Sequence, residues 1–469
     1  MGRTFLNSIR AGSVALAMAV VAPVAAVSET LADAMASAYS HSGLLQQNRA
    51  LLRSADENVA QTYARLQPII NWFGSIEYTT GTAQVSSIGQ ELDAFHPSIG
   101  LSLQILIYDN GATRASLEAA KETVLATRQA LINVEQRVLL DAVTAYMSVI
   151  RDTQIVELRQ NNLKLVQREL QAAQDRFEVG EVTRTDVAQA ESSLAGGRAQ
   201  LAAAQGDLMQ SQEFYSAAIG HRPGVLVSPR NLPQVPATME QAKSVAIRSH
   251  PSMLQSQLSI SAAEYQVDAA EAAMGPRVTF DSSISIEEDF EDTDYTRVGT
   301  VGLTLGGPIY QGGALSSLVR QAMALRDAER GNLHVVRHTT RQNAGNAWAS
   351  LISAKAQLSA TARQVEAARI AFEGIREESK LGARTTLDVL ISEQQLLDAE
   401  ASRITAQTNQ ITATFALLSS MGLLTTEHLN LNVERYDPEA YYELVKDAPA
   451  VRSERGKQLD KVLRALGKE

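Results

Sequence analysis

The hydrophobic positions of this chain switch between a period of two and a period near 3.6, and the switches mark out its elements. Residues 44–66 follow a helical pattern that Pro68 stops. Beyond it Ile70, Trp72, Ile76 and Tyr78 alternate with polar or small residues, which predicts a strand over about 69–80. A polar loop rich in Gly, Ser and Thr follows, and Pro97 is expected to open a second strand over about 97–107. There Ile99, Leu101, Leu103, Ile105 and Ile107 share one face, and Ser98, Gly100, Ser102 and Gln104 the other. The same pair recurs later. Val278, Phe280, Ile284 and Ile286 predict a strand over about 277–287, and Val301, Leu303 and Leu305 one over about 297–306, with an acidic loop at 287–294 between them.

After each strand pair the chain runs on almost without helix breakers, so long helices are expected over about 111–178 and 313–379. At 1.5 Å per residue each reaches on the order of 100 Å. A glycine turn and a return helix follow, over about 187–219 and 388–421. In the second return helix Leu387, Leu390, Gln394, Leu397, Ala401, Ile404, Thr408, Ile411, Phe415 and Leu418 hold successive a and d heptad positions. In the first, Val187, Leu194, Leu201, Leu208 and Tyr215 are spaced by seven, with Ala190, Gly197, Ala204, Ser211 and Ala218 between them. Two antiparallel coiled coils per chain are predicted.

This order is a duplication. Ile107-Tyr108-Asp109-Asn110-Gly111 matches Ile309-Tyr310-Gln311-Gly312-Gly313, a shift from 108 to 310 of 202 residues. Gly180 and Gly382, Asp186-Val187 and Asp388-Val389, and Gly220 and Gly422 keep that shift. Upstream, Ser40-His41 matches Ser249-His250 with a shift of 209, so the first half is expected to hold about seven more residues, absorbed in a loop. The organisation is then a leader at 1–26, a first repeat at 27–220, an inter-repeat segment at 221–239, a second repeat at 240–422 and a C-terminal segment with a charged tail at 423–469.

Composition narrows what such a chain does. Its 469 residues are 45% hydrophobic but only 5% aromatic, and the net charge of −10 gives no basic surplus for nucleic acid. There are no cysteines, which excludes disulfides, thiolate metal sites, cysteine nucleophiles and a lipidated N-terminal cysteine. The seven His are scattered, and no HExxH, GxSxG or GxxxxGK[ST] motif occurs, so neither an enzyme nor a cofactor or metal site is expected. Arg3 and Arg10 precede the apolar run 11–22, and Val24 and Ala26 suit cleavage, which reads as an export signal; the run is shorter than a spanning helix needs.

For an exported chain, strands of about ten alternating residues fit a membrane β-barrel. Four are too few to close one, and an open sheet in lipid leaves unpaired backbone groups at several kcal/mol each, so the barrel would be shared between chains. Two chains give eight strands and three give twelve. A soluble periplasmic coiled-coil scaffold is the alternative; it explains the heptads but not the duplicated strands.

Nearly the whole chain after the leader resembles the TolC-like outer membrane efflux and type I secretion proteins. The resemblance is carried by the stretch from Leu305 to Gly313, by Arg176-Phe177-Glu178-Val179-Gly180, and by the stretch from Leu381 to Leu390. It implies a mainly α protomer with a small membrane β-barrel. Three protomers would form a twelve-stranded barrel in the outer membrane and a long α-helical tunnel through the periplasm, with an equatorial belt from 221–239 and the region after Gly422. It also implies a periplasmic adaptor protein and an inner-membrane transporter of ABC, RND or MFS type as partners.

The resemblance places the working residues at the tip. Asp388 falls on the family's gate aspartate, while Ile391 stands where some members carry a second acid, so one carboxylate ring backed by an apolar ring is expected. The family latch carries over to Arg384, Thr185 and Asp186, with Ser379 in place of a latch tyrosine. The plainer readings are an acid in a first helical turn for Asp388, and an N-cap boxed with Gln189 for Asp186. Val179-Gly180-Glu181 and Leu381-Gly382-Ala383 are expected to dock the adaptor's hairpin, or to be only tight turns.

Overall fold

The computed structural model describes residues 28–85, 88–229, 231–288 and 295–466; the expected leader and most of the acidic loop lie outside them. The first repeat contains α1 (Leu31–His41), α2 (Gly43–Ala64), β1 (Ile69–Val85), β2 (Ile88–Tyr108), α3 (Ala112–Glu178) and α4 (Arg184–Ile219). The second contains α5 (Met239–Ser249), α6 (Pro251–Ala272), β3 (Arg277–Glu288), β4 (Tyr295–Gly306), α7 (Ala314–Lys380) and α8 (Thr386–Ser420), followed by α9 (Pro438–Val445) and α10 (Glu454–Leu466). Among the described residues no helix is long and apolar enough to cross a membrane.

The duplication is realised element for element, with one revision of its register. α1 and α2 map onto α5 and α6 with a shift from 31 to 239, which is 208, so the partner of His250 is Ser42 and not His41. Each is a shared cap. Ser42 accepts from the Leu45 amide and His250 Nδ1 from the Ser252 amide, and each ends one helix where the next begins. The shift is 202 from α3 and α7 onward, so the halves differ by six residues, all of them in the strand hairpins.

The strands form one antiparallel sheet in the order β1-β2-β3-β4. β3 and β4 have 12 residues each, close to the reach of a membrane strand. β1 and β2 are longer than expected, and Val85 pairs with Ile88. Beyond Tyr78 the chain no longer alternates apolar and polar, so the pattern ends before the hydrogen bonding does. Pro97 does not open β2 but lies inside it, opposite Ile76. Among the described residues the β3 ladder begins at Ser98, so Pro97 lies just past its end, a position at which its missing N–H is tolerated.

Register places Ile70, Trp72, Ile76 and Tyr78 beside Leu103, Leu101, Pro97 and Phe95, then Ile284 and Ile286, then Val301, Leu303 and Leu305. This apolar face is continuous across all four strands and open to solvent, with Trp72 78% and Val301 74% exposed. The opposite face is hydrogen-bonded: Ser75 and Ser98 hydroxyls meet at 2.7 Å, Gln104 donates to Asp281 at 3.0 Å, and Ser283 and Thr300 meet at 2.6 Å.

The main core lies far from the sheet. Leu139, Tyr146 and Met147 of α3 pack with Ala34 and Met35 of α1, Leu351 of α7, and Leu417, Leu418, Met421 and Leu424 at and beyond the end of α8. The Tyr146 hydroxyl lies 2.8 Å from the Glu29 and Val227 carbonyls and accepts from the Val227 amide, which fastens the start of the described chain and the inter-repeat segment to the helices. The C-terminal tail is partly helical: α9 packs Tyr441 and Val445 near Ala60 of α2, with Leu459 of α10 against them.

Candidate functional site

The end of the molecule remote from the sheet is built by two turns of the same design. α3 and α7 each stop because a glycine, Gly180 or Gly382, takes positive φ of 81° or 76°. The Glu181 amide then donates to the Arg176 carbonyl and the Ala383 amide to the Glu378 carbonyl, both at 2.9 Å, closing a Schellman turn. Each turn ends on a threonine that starts the return helix. Thr183 and Thr385 are N-caps, with Asp186 and Asp388 at the third helical position.

These are capping boxes. Asp388 Oδ2 accepts from the Thr385 amide at 3.0 Å and its hydroxyl at 2.9 Å, and the Asp388 amide donates to Thr385 Oγ1 at 3.2 Å. Asp186 and Thr183 repeat the arrangement at 2.9, 2.8 and 3.3 Å. Asp186 is therefore not an N-cap boxed with Gln189, because Thr183 takes the cap and α4 begins three residues earlier than expected. The Thr-x-x-Asp spacing of a capping box, present at both turns, is the sequence signal for it. Backbone and hydroxyl donors from Thr183 and Thr385 hold both carboxyls below the usual aspartate range. Both are therefore charged at neutral pH.

Arg384 bonds Glu378, Nε to Oε2 at 2.9 Å, and this hydrogen bond raises the guanidinium's already high pKa. Within one chain it is not joined to Thr185 or Asp186; Thr185 is exposed, and Asp186 is engaged by Thr183. The turns present apolar side chains to solvent: Leu381 is 86% and Val179 72% exposed, with Ile391 at 48%. Ala383, Glu181 and Ser379 complete this surface.

Above the turns the two coiled coils are cross-linked by a feature that no sequence pattern announces. Glu393 of α8 is 5% exposed and faces α3, where Asn162 Nδ2 donates to its Oε1 at 2.6 Å. Its Oε2 is buried without a protein partner. A cavity of about 220 Å³ lies against it, lined by Asn162 and Val166 of α3, Gln189, Ser193 and Gly197 of α4, and Ile391. Burial pushes the Glu393 carboxyl up to about 7; nearby Glu169 adds to this, while Asn162 and Arg376 offset part of it. Below it Ala173, Ala190 and Leu390 form a small apolar cluster joining α3, α4 and α8.

The sequence pattern of the outer membrane efflux protein family matches residues 35–221 and 243–423. The chain is 35% identical over 442 residues to the outer membrane efflux protein BepC of Brucella suis, covering 93% of this chain and 95% of that protein. It is 25% identical to the outer membrane protein TolC of Escherichia coli, over 80% and 78% of the two chains. Among solved structures, the outer membrane protein VceC of Vibrio cholerae superposes with a TM-score of 0.71 at 19% identity, covering 84% of this chain and 96% of that one.

Proposed function

The chain belongs to the outer membrane efflux protein family, and from that membership we propose that it works as a homotrimeric exit duct whose helical tip is a releasable gate. As an outer-membrane channel protein of this family it serves efflux or type I secretion. The observation that supports a shared barrel is the sheet itself: a continuous, solvent-open apolar face bounded by two free strand edges, β1 and β4. Such a sheet in lipid must pair both edges, and pairing β4 with β1 of the next copy does so without further strands. Three copies then enclose a lumen lined by the Ser, Thr, Gln and Asp of the polar face.

At the other end, three copies of Asp388 form a ring of carboxylates, with Ile391 one helical turn behind it. Oδ2 is committed to Thr385 while the other oxygen takes no part in the capping box, so one side chain both starts α8 and presents charge to passing ions. Arg384 would exchange Glu378 for Thr185 and Asp186 of a neighbouring copy, a latch of exposed groups weak enough to release. The exposed Val179-Gly180-Glu181 and Leu381-Gly382-Ala383 turns suit docking by a periplasmic adaptor, through which an ABC, RND or MFS transporter of the inner membrane would feed cargo.

Two measurements test this. The full chain should fractionate with the outer membrane as a heat-modifiable trimer; full recovery in the soluble fraction refutes the duct. In planar bilayers Asp388→Asn, which keeps a cap acceptor but removes the charge, should reduce cation preference and divalent block. Unchanged selectivity and block would overturn the gate assignment.

A further inference from the structure

Glu393 sits five residues beyond Asp388, about 7 to 8 Å along the α8 axis. It is placed where the second coiled coil rests on the first. We propose that this carboxyl is a proton-operated interlock: neutral, it lets α8 seat against α3 and hold the tip closed; ionised, it loosens that seat and favours opening. The inference rests on the exit-duct reading.

The geometry carries it. One oxygen has a single amide donor, the other has none, and a cavity adjoins the pair, so no hydrogen bond or ion pair to the carboxyl fully compensates a buried negative charge. The charged groups facing it do not stabilise the ionised form on balance: Glu169 of α3, a like charge, outweighs Arg376 of α7, while the cavity lining contributed by α4 is Gln189, Ser193, Gly196, Gly197 and Gln200, all uncharged. A neutral carboxyl suits this site and a carboxylate does not. Because packing raises the group from 4.5 to about 7, the packed state takes up a proton that the separated helices release. The interlock is therefore complete below the ordinary glutamate range and is lost as pH rises through about 7.

Two features make the effect separable. The seven histidines, at 41, 96, 221, 250, 334, 338 and 428, all lie outside the tip, and the Asp186 and Asp388 carboxyls are held low by their caps. The repeat also supplies an internal control, since the equivalent of Glu393 is Glu191 of α4, 202 residues earlier and exposed.

The experiment is the open probability of the full-length protein in planar bilayers between about pH 5 and pH 8.5, for wild type, Glu393→Gln and Glu191→Gln. Wild type and Glu191→Gln should open more readily as pH rises, by up to roughly tenfold per pH unit and protomer between 4.5 and about 7, and should level off above it. Glu393→Gln should stay at the low-pH level throughout. Equal pH profiles for wild type and Glu393→Gln, or a glutamine variant locked open, overturn the interlock and leave the duct standing. If no variant conducts, the duct reading fails, and thermal unfolding decides the interlock. The melting temperature of Glu393→Gln should match wild type at about pH 4, exceed it increasingly up to about pH 7 and hold that gap above it, whereas a gap independent of pH rejects the idea.

Discussion

α3 and α7 hold equivalent places in the two repeats and are each 67 residues long, yet their sides are treated very differently. Between Val138 and Ile150, α3 buries Val138, Leu139, Ala142, Val143, Ala145, Tyr146, Met147, Val149 and Ile150. Over the equivalent stretch, 340–352, α7 buries only Thr340, Ala344, Gly345 and Leu351. The cause is neighbours. α3 is packed by α1, α2, α4, α6 and α8, whereas α7 is packed chiefly by α5, α6 and α8, and its Leu325, Val335 and Ile370 are more than half exposed. One repeat thus builds the protomer's interior and the other its open flank. A duplicated sequence can be symmetric in secondary structure while its second copy keeps a surface for another chain.

The sharpest break of this comparison is at one repeat position. Leu139 is fully buried and its equivalent, 202 residues on, is Arg341. Leu139→Ala should lower stability by about 2 to 5 kcal/mol, read as a large drop in melting temperature of the detergent-solubilised protein. Next in size is Tyr146→Phe, which takes the hydroxyl from the Val227 carbonyl and leaves the Val227 amide and Glu29 carbonyl only their bond to each other, and should cost about 1 to 3 kcal/mol. It should also loosen protection of residues 28–30 and 225–229 in hydrogen exchange, a local signature that a mere packing loss lacks. Gly180→Ala and Gly382→Ala place a Cβ at positive φ and should each cost about 1 to 2 kcal/mol; a marked inequality between them would mean the turns are not equivalent. Val335→Glu should leave the protomer's helicity intact but reduce trimer yield on native gels, whereas unchanged assembly would show that this flank faces solvent. Arg341→Ala, which removes only the exposed pair with Glu240, should leave the melting temperature where it was.

Local chemistry explains what was readable at the tip and what was not. The glycine turns, the coiled-coil seams and the first-turn position of Asp388 follow from spacing, because caps and heptads are determined by residues within one or two turns. The partner of Arg384 was not readable: Glu378 competes with Asp186, and the shorter chain path wins within a protomer. Glu393 gave no signal, since a glutamate two residues after Ile391 looks like any solvated helix position until α3 is laid across it. Asp56 is the same case near the other end of the helices, fully buried on α2 with its carboxyl pushed up to about 6 by burial, partly offset by Arg128.

The amino-acid order alone determined the duplication, the kind and succession of the elements, the alternating strands and the two seams, all of which depend on periodicities a chain carries within itself. Tertiary structure decided how far the first hairpin extends past its apolar pattern and where a proline fits in β2. It also decided which long helix is interior and which carboxyl is stripped of water. Those outcomes depend on which strand or helix arrives alongside, and burial, hydrogen-bond partners and the ease of ionising a group exist only once that neighbour is in place.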